Sequence, residues 1–151
     1  MRILVSACLL GMNCKYSCGN NEKEEVLSLL KEHELIPVCP EILGGLPTPR
    51  VPAENKGKQV FTKDGRDVTC QFQKGALETL KIAQLCQCHC AILKEKSPSC
   101  GSGEIYDGTF QGILIQGDGV TARLLKEHGI YVVGEKHLNK LYKNVGKRDE
   151  R

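Results

Sequence analysis

Arg2-Ile-Leu-Val-Ser-Ala-Cys-Leu-Leu-Gly11 is the stretch that decides the fold. Its apolar run, Ile3–Ser6, reads as a strand buried on both faces, and it feeds directly into a cysteine-bearing loop. Three further runs have the same character: Leu35–Val38, Ala91–Lys94 and Ile130–Val133. Amphipathic helical patterns lie between them. The first, about Glu22–His33, directs Val26, Leu27, Leu29 and Leu30 toward a core. The second follows Asp67 as N-cap and runs to about Cys86, with Phe72, Ala76, Leu80 and Ala83 on one stripe. A third begins near Asp118, with Val120, Leu124 and Leu125 facing inward, and ends at Gly129. A fourth covers about Glu135–Tyr142. Strands alternating with helices predict a parallel sheet with right-handed crossovers. Residues 1–151 therefore read as a single Rossmann-like α/β domain, mostly parallel, with helices on both faces. Gly44–Glu54, rich in Gly and Pro, reads as a rigid loop, and Tyr106-Asp107-Gly108-Thr109 as a hairpin-type turn.

A chain of 151 residues is long enough to bury a real core. The net charge of +3 is small, and part of the excess sits in Lys140, Lys143, Lys147, Arg148 and Arg151. Those residues read as a helix end and a solvated tail over 145–151. A nucleic-acid partner would require a basic stripe, preferably interleaved with aromatics, and none is found. The apolar run at the start is too short for a signal peptide, and no stretch could span a membrane. The nine cysteines are an odd number in a chain too large for a disulfide miniprotein. A reducing cytoplasm is the expected compartment, where clustered cysteines mean metal, catalysis or core packing.

Ligands in open α/β sheets sit beyond the carboxyl ends of the strands. Three predicted strands run toward such loops: Ser6-Ala7-Cys8, Val38-Cys39-Pro40-Glu41, and Lys94 through Ser97-Pro98-Ser99-Cys100-Gly101. Each delivers one cysteine to the same sheet edge. Structural zinc usually takes four closed ligands with a C-x2-C knuckle, and no knuckle is present. Soft thiolates on Gly- and Pro-shaped loops suit an iron–sulfur cluster held by Cys8, Cys39 and Cys100. Three ligands would leave a fourth iron open as a Lewis acid for a sulfur-bearing substrate.

Cys14 stands near enough to Cys8 to be a fourth ligand, or else is a cysteine of an irregular loop. Cys86, Cys88 and Cys90 enter the third strand from its far end and read as buried small hydrophobes. Cys70 reads as structural. Glu41 is the carboxylate of interest: partial burial would raise its pKa toward acid–base work, and a capping role is the alternative. Ser97 would hydrogen-bond a substrate or a cluster sulfide, or close a turn; Ser99 carries the same choice. Arg50 and Glu54 are expected to pair and brace the proline-rich loop. His33, His89, His128 and His137 read as solvated or satisfied.

These motifs resemble the thiouracil desulfidases. The matching stretches are Val5-Ser-Ala-Cys-Leu-Leu-Gly11, Pro37-Val-Cys-Pro-Glu41, Gly44-Gly-Leu-Pro47, Pro49-Arg-Val-Pro-Ala-Glu54 and Gly65-Arg-Asp-Val-Thr69. Ala91-Ile-Leu-Lys94, Ser97-Pro-Ser-Cys-Gly101, Ile105-Tyr-Asp-Gly-Thr-Phe110 and Gly119-Val-Thr-Ala122 complete a set covering nearly the whole chain in order. The resemblance implies an oxygen-sensitive [4Fe–4S] cluster on Cys8, Cys39 and Cys100, with Glu41 and Ser97 as the active-site polar residues. It also implies that the open iron takes the sulfur of a thiocarbonyl and that water replaces it, giving uracil and hydrosulfide from 2-thiouracil. The chain departs from the family pattern at Ser17-Cys18, where Asp-Gly is expected. The expected partner is thus a small thiolated pyrimidine. Two other classes fit the cysteines: a non-catalytic metal- or cluster-binding redox sensor, and a sulfur carrier.

Overall fold

The computed structural model describes residues 1–149, with side-chain surroundings through Asn144. Four parallel strands form the central sheet: β1 (Arg2–Ser6), β2 (Glu34–Val38), β5 (Cys90–Leu93) and β8 (Tyr131–Gly134), in the order β2-β1-β5-β8. The chain steps from β1 to β2 on one side and later to β5 on the other, so the sheet's switch point falls between β1 and β5.

β1 is central, and alternation along it serves two layers. Ile3 and Val5 pack with Val26, Leu29 and Leu141 on one face, and Leu4 packs with Leu80, Ala83, Ala122 and Leu125 on the other. Ile3, Leu4 and Val5 are wholly buried, and each such side chain contributes roughly 1.5–3 kcal/mol of transfer free energy. The first face carries α1 (Glu24–Leu27), its continuation as a 3-10 turn, and α5 (Leu138–Asp149). The second carries α3 (Thr69–Leu85) and α4 (Val120–Glu127). The α/β class, the parallel sheet and the helices on both faces are as the sequence predicts.

Several boundaries differ. The first helix is two short pieces ending at Lys31, and Leu30 points to solvent. A run of only eight residues lets a helix bury one narrow stripe, here Val26 and Leu29. The N-cap of α3 is Val68, not Asp67, whose carboxylate instead accepts the Thr69 N–H at 2.9 Å. Gly119 caps α4, and the Asp118 carboxylate is drawn to the Gly103 N–H and to Lys126. The last helix begins at Leu138, and the tail expected over 145–151 lies outside the residues whose surroundings are described.

Two antiparallel hairpins escaped the sequence reading in part. β3 (Ala53–Lys56) and β4 (Gln59–Thr62) turn through Gly57, which lies at φ 62. β6 (Glu104–Tyr106) and β7 (Leu114–Gln116) are joined by a longer loop than the tight turn expected at 106–109. One short helix, α2 (Pro40–Leu43), follows Cys39. It lies backbone against backbone on α3: a Cβ on Gly44 would strike the Gln71 carbonyl, and one on Gly75 the Pro40 carbonyl. That contact, open only to glycine, fixes where α2 holds its side chains.

Candidate functional site

Cys8 follows β1 in a 3-10 turn that Gly11 closes at φ 95. The Asn21 N–H donates to its carbonyl at 2.9 Å, and the Asn21 side chain also hydrogen-bonds its thiol. Cys39 follows β2 at the start of α2, where the Ile42 N–H is directed at its sulfur. Cys100 belongs to a loop seated on the N-terminus of α4. There the Pro98 carbonyl accepts the Val120 N–H at 3.0 Å, and the Ser99 carbonyl accepts the N–H groups of Thr121 and Ala122 at 2.9 and 3.1 Å. A helix leaves its first N–H groups without internal partners, so this loop is the cap of α4. The Ser99 and Thr121 hydroxyls, both buried, bond to each other at 2.7 Å.

The three cysteines meet as predicted. Cys8, Cys39 and Cys100 line one cavity of about 460 Å³, together with Glu41, Ser97 and Lys94. Cys14 lines it too and is only 8% exposed. Its thiol hydrogen-bonds with both Cys8 and Cys39, and the Cys39 thiol reaches the Cys14 carbonyl at 3.8 Å. Cys86, Cys88 and Cys90 lie at the opposite end of β5, as read from sequence, and burial pushes Cys88 up to about 11. Cys70 is exposed in the first turn of α3.

The thiols differ in acidity. Cys39 is lowered to about 6, first by a hydrogen bond from Cys14, then by the Ile42 N–H and the Arg50 charge, against burial. Cys8 is lowered to about 7, again first by Cys14, with Asn21 and Lys94 assisting. Cys14 is driven strongly upward because its proton is shared between those two sulfurs. One S–H serves one acceptor at a time, so the two depressions alternate rather than add. Cys100, a buried residue of the cavity wall, is pushed up to about 12 by burial, partly offset by a hydrogen bond from Ser6.

Arg50 is the residue sequence reasoning misplaced. It does not pair with Glu54. Its guanidinium, 6% exposed, meets the Glu41 carboxylate at 3.0 Å, the Cys14 carbonyl at 2.9 Å, Thr48 Oγ1 at 3.1 Å and the Pro47 carbonyl at 3.2 Å. Glu54 instead accepts the N–H groups of Gly108 and Phe110, both at 3.1 Å, and so clamps the loop after β6. A planar five-donor fork can join three segments at once, which explains why Arg50 turns toward Cys14 and Glu41. Glu41 uses Oε2 on Arg50, and among the described residues its Oε1 makes no hydrogen bond. Ser97 Oγ accepts the Ser99 and Cys100 N–H groups at 3.2 and 3.0 Å. It therefore closes the turn, and its proton remains to be donated.

At Cys18 the backbone takes φ 68, the left-handed region that glycine enters freely. Glycine is the residue that the resemblance leads one to expect here, and the chain carries a cysteine in that conformation.

Four soft sulfur donors around a cavity suit a polynuclear iron–sulfur group. No three His, Cys, Asp or Glu side chains among the described residues close on a point as around a single ion. A cluster spreads its thiolates over several irons and needs them around a cavity rather than at a point.

The model of the family described as 2-thiouracil desulfurase matches residues 3–137. The chain belongs to that family. Among the chain's relatives, the uncharacterized protein YbbK of Bacillus subtilis (strain 168) is 45% identical to it over 147 residues, spanning 91% of this chain and 97% of the relative. Among solved structures, the [4Fe–4S]-dependent thiouracil desulfidase TudS is similar at TM-score 0.91 and 43% identity. The match covers 96% of this chain and 97% of that one. This desulfurase-family chain has, among the described residues, no helix long and apolar enough to cross a membrane.

Proposed function

We propose that this chain is a [4Fe–4S]-dependent desulfidase that converts a thiolated pyrimidine such as 2-thiouracil to its oxo form and hydrosulfide. The observation that carries the reading is the meeting of Cys8, Cys39 and Cys100 in one cavity beside Glu41 and Ser97, in a chain of the 2-thiouracil desulfurase family. Those three cysteines would hold the cluster. When bound, it supplies a sulfur-seeking Lewis acid.

The remaining chemistry belongs to the protein. Arg50 fixes one oxygen of Glu41, and the other takes a proton from water as the water oxygen bonds to the ring carbon of the thiocarbonyl. The carbon–sulfur bond then breaks with its electron pair on sulfur, and the proton held by Glu41 passes to that sulfur, which leaves as hydrosulfide. The hydroxyl proton of the adduct is released to solvent as the carbonyl forms. Water enters, hydrosulfide departs, and no electrons are exchanged with an outside donor. Ser97, its acceptor sites filled by two backbone N–H groups, orients the heterocycle through its remaining O–H.

The test is anaerobic reconstitution, iron and sulfide quantification, and assay of 2-thiouracil for uracil and sulfide. Glu41→Gln keeps a hydrogen bond to Arg50 while abolishing the base. Full cluster absorbance with lost turnover is expected. Turnover that survives in this variant removes Glu41 from the reaction, and loss of the cluster makes it structural.

A further inference from the structure

The cavity wall has a second layer that the reaction above leaves unused. Ser6, at the end of β1, is 3% exposed, and its Oγ accepts the Lys94 backbone N–H at 2.9 Å. With that lone pair engaged, its own O–H is turned onto the Cys100 sulfur, to which it hydrogen-bonds. The Lys94 side chain runs along the cavity within electrostatic reach of Cys8. Its ammonium is held by the Glu95 carbonyl and by Glu135 Oε1, each at 3.0 Å.

Glu135 is the unexpected member. Its side chain is 2% exposed, and its second oxygen accepts the Glu95 N–H at 2.7 Å. A carboxylate so deeply buried is costly unless paired and hydrogen-bonded. Here both oxygens are satisfied, and the result is a cation with little freedom to move. One residue, Lys94, is thus tied to both cysteines: its main chain bonds the Ser6 hydroxyl that reaches Cys100, and its held ammonium lies within electrostatic reach of Cys8.

We infer that Ser6, Lys94 and Glu135 are positioning residues for the cluster, setting its reduction potential and its grip on iron. Hydrogen bonds to ligand sulfurs and local charge are among the determinants of cluster potential. A donated hydrogen bond and a fixed cation both favour the more negative, reduced state. Removing either therefore moves the potential downward. Partners that orient metal ligands typically carry 10–100-fold in metal affinity. The inference rests on the cluster reading given above.

The experiment compares the reconstituted wild-type chain with Ser6→Ala, Lys94→Met and Glu135→Gln by spectroelectrochemical midpoint potential and by rate of iron loss to a chelator under argon. Ser6→Ala and Lys94→Met are expected to lower the potential. Glu135→Gln, which removes a negative charge and leaves the cation, is expected to raise it. All three should lose iron roughly 10–100-fold faster. Lys94→Arg, which keeps the charge, and Ser6→Thr, which keeps the hydroxyl, should return both values toward wild type. Apo-protein unfolding, measured in parallel, registers a purely structural role. Variants that unfold more easily yet hold the wild-type potential when loaded overturn the inference. A wild-type chain that takes up no iron and sulfide overturns the cluster reading itself, so the two failures are distinguishable.

Discussion

Arg50→Met is the perturbation that tests how the site is assembled. Methionine keeps much of the aliphatic stem and removes the fork. The guanidinium is 6% exposed and makes one ion pair and three further hydrogen bonds across the Cys14 loop, α2 and the proline-rich loop. Breaking a buried ion pair from one side costs about 3–5 kcal/mol, because the partner charge is left behind. Glu41 retains 20% exposure, and water reaching it holds the estimate near the lower end, about 3–4 kcal/mol. With a urea m-value of about 2 kcal/mol/M, the midpoint of the reduced apo-protein should fall by roughly 1.5–2 M. The assay is equilibrium urea unfolding under anaerobic, reducing conditions, repeated for Glu41→Gln and the double variant. Residues in direct contact couple, so the double variant should be more stable than additivity predicts, by about 1–3 kcal/mol. A midpoint shift below about 0.5 M, with additive single effects, would falsify the idea that Arg50 holds Glu41 in place.

Cys14→Ser should load iron and sulfide as fully as wild type, since the role read for Cys14 is hydrogen bonding to Cys8 and Cys39; failure to load makes it a ligand. Cys18→Gly should raise stability by about 0.5–1 kcal/mol, the left-handed penalty of about 1–2 kcal/mol less the entropy glycine brings. Thermal unfolding checks this, and an unchanged or lower midpoint refutes it. In the apo-protein, alkylation of Cys39 should rise through pH of about 6 rather than near its ordinary 9.0, while Cys100, pushed up to about 12, stays unreactive at neutral pH. Peptide mapping by mass spectrometry decides between them. The linkage signs oppose. The depressed Cys39 stabilises the fold fully above pH 9 and loses this as pH falls toward about 6, whereas Cys100 favours the fold below pH 9 and ceases to as pH climbs toward about 12.

The sheet and the three proposed ligands were legible because they depend on local pattern and on chain direction. A run such as Ile3-Leu-Val can be satisfied only between two helical layers, and parallel strands must all end at one edge. Cys8, Cys39 and Cys100 therefore converge whatever lies between them. The α2 helix was hidden because four residues carry no periodic signal, and β3–β4 because a polar hairpin was masked by the proline-rich loop before it.

Sequence alone thus determined the α/β class, the common sheet edge and the sulfur-rich character of the site. Only tertiary structure decided which residues finish it. Arg50 chose Glu41 over Glu54, Cys14 came to lie between two thiols, and Lys94 was tied to Glu135, forty-one residues away. The physical reason is reach: a strand fixes direction and period, which are written in consecutive residues. A long side chain's partner depends on which loops fold over it, and that is settled by the whole packed chain.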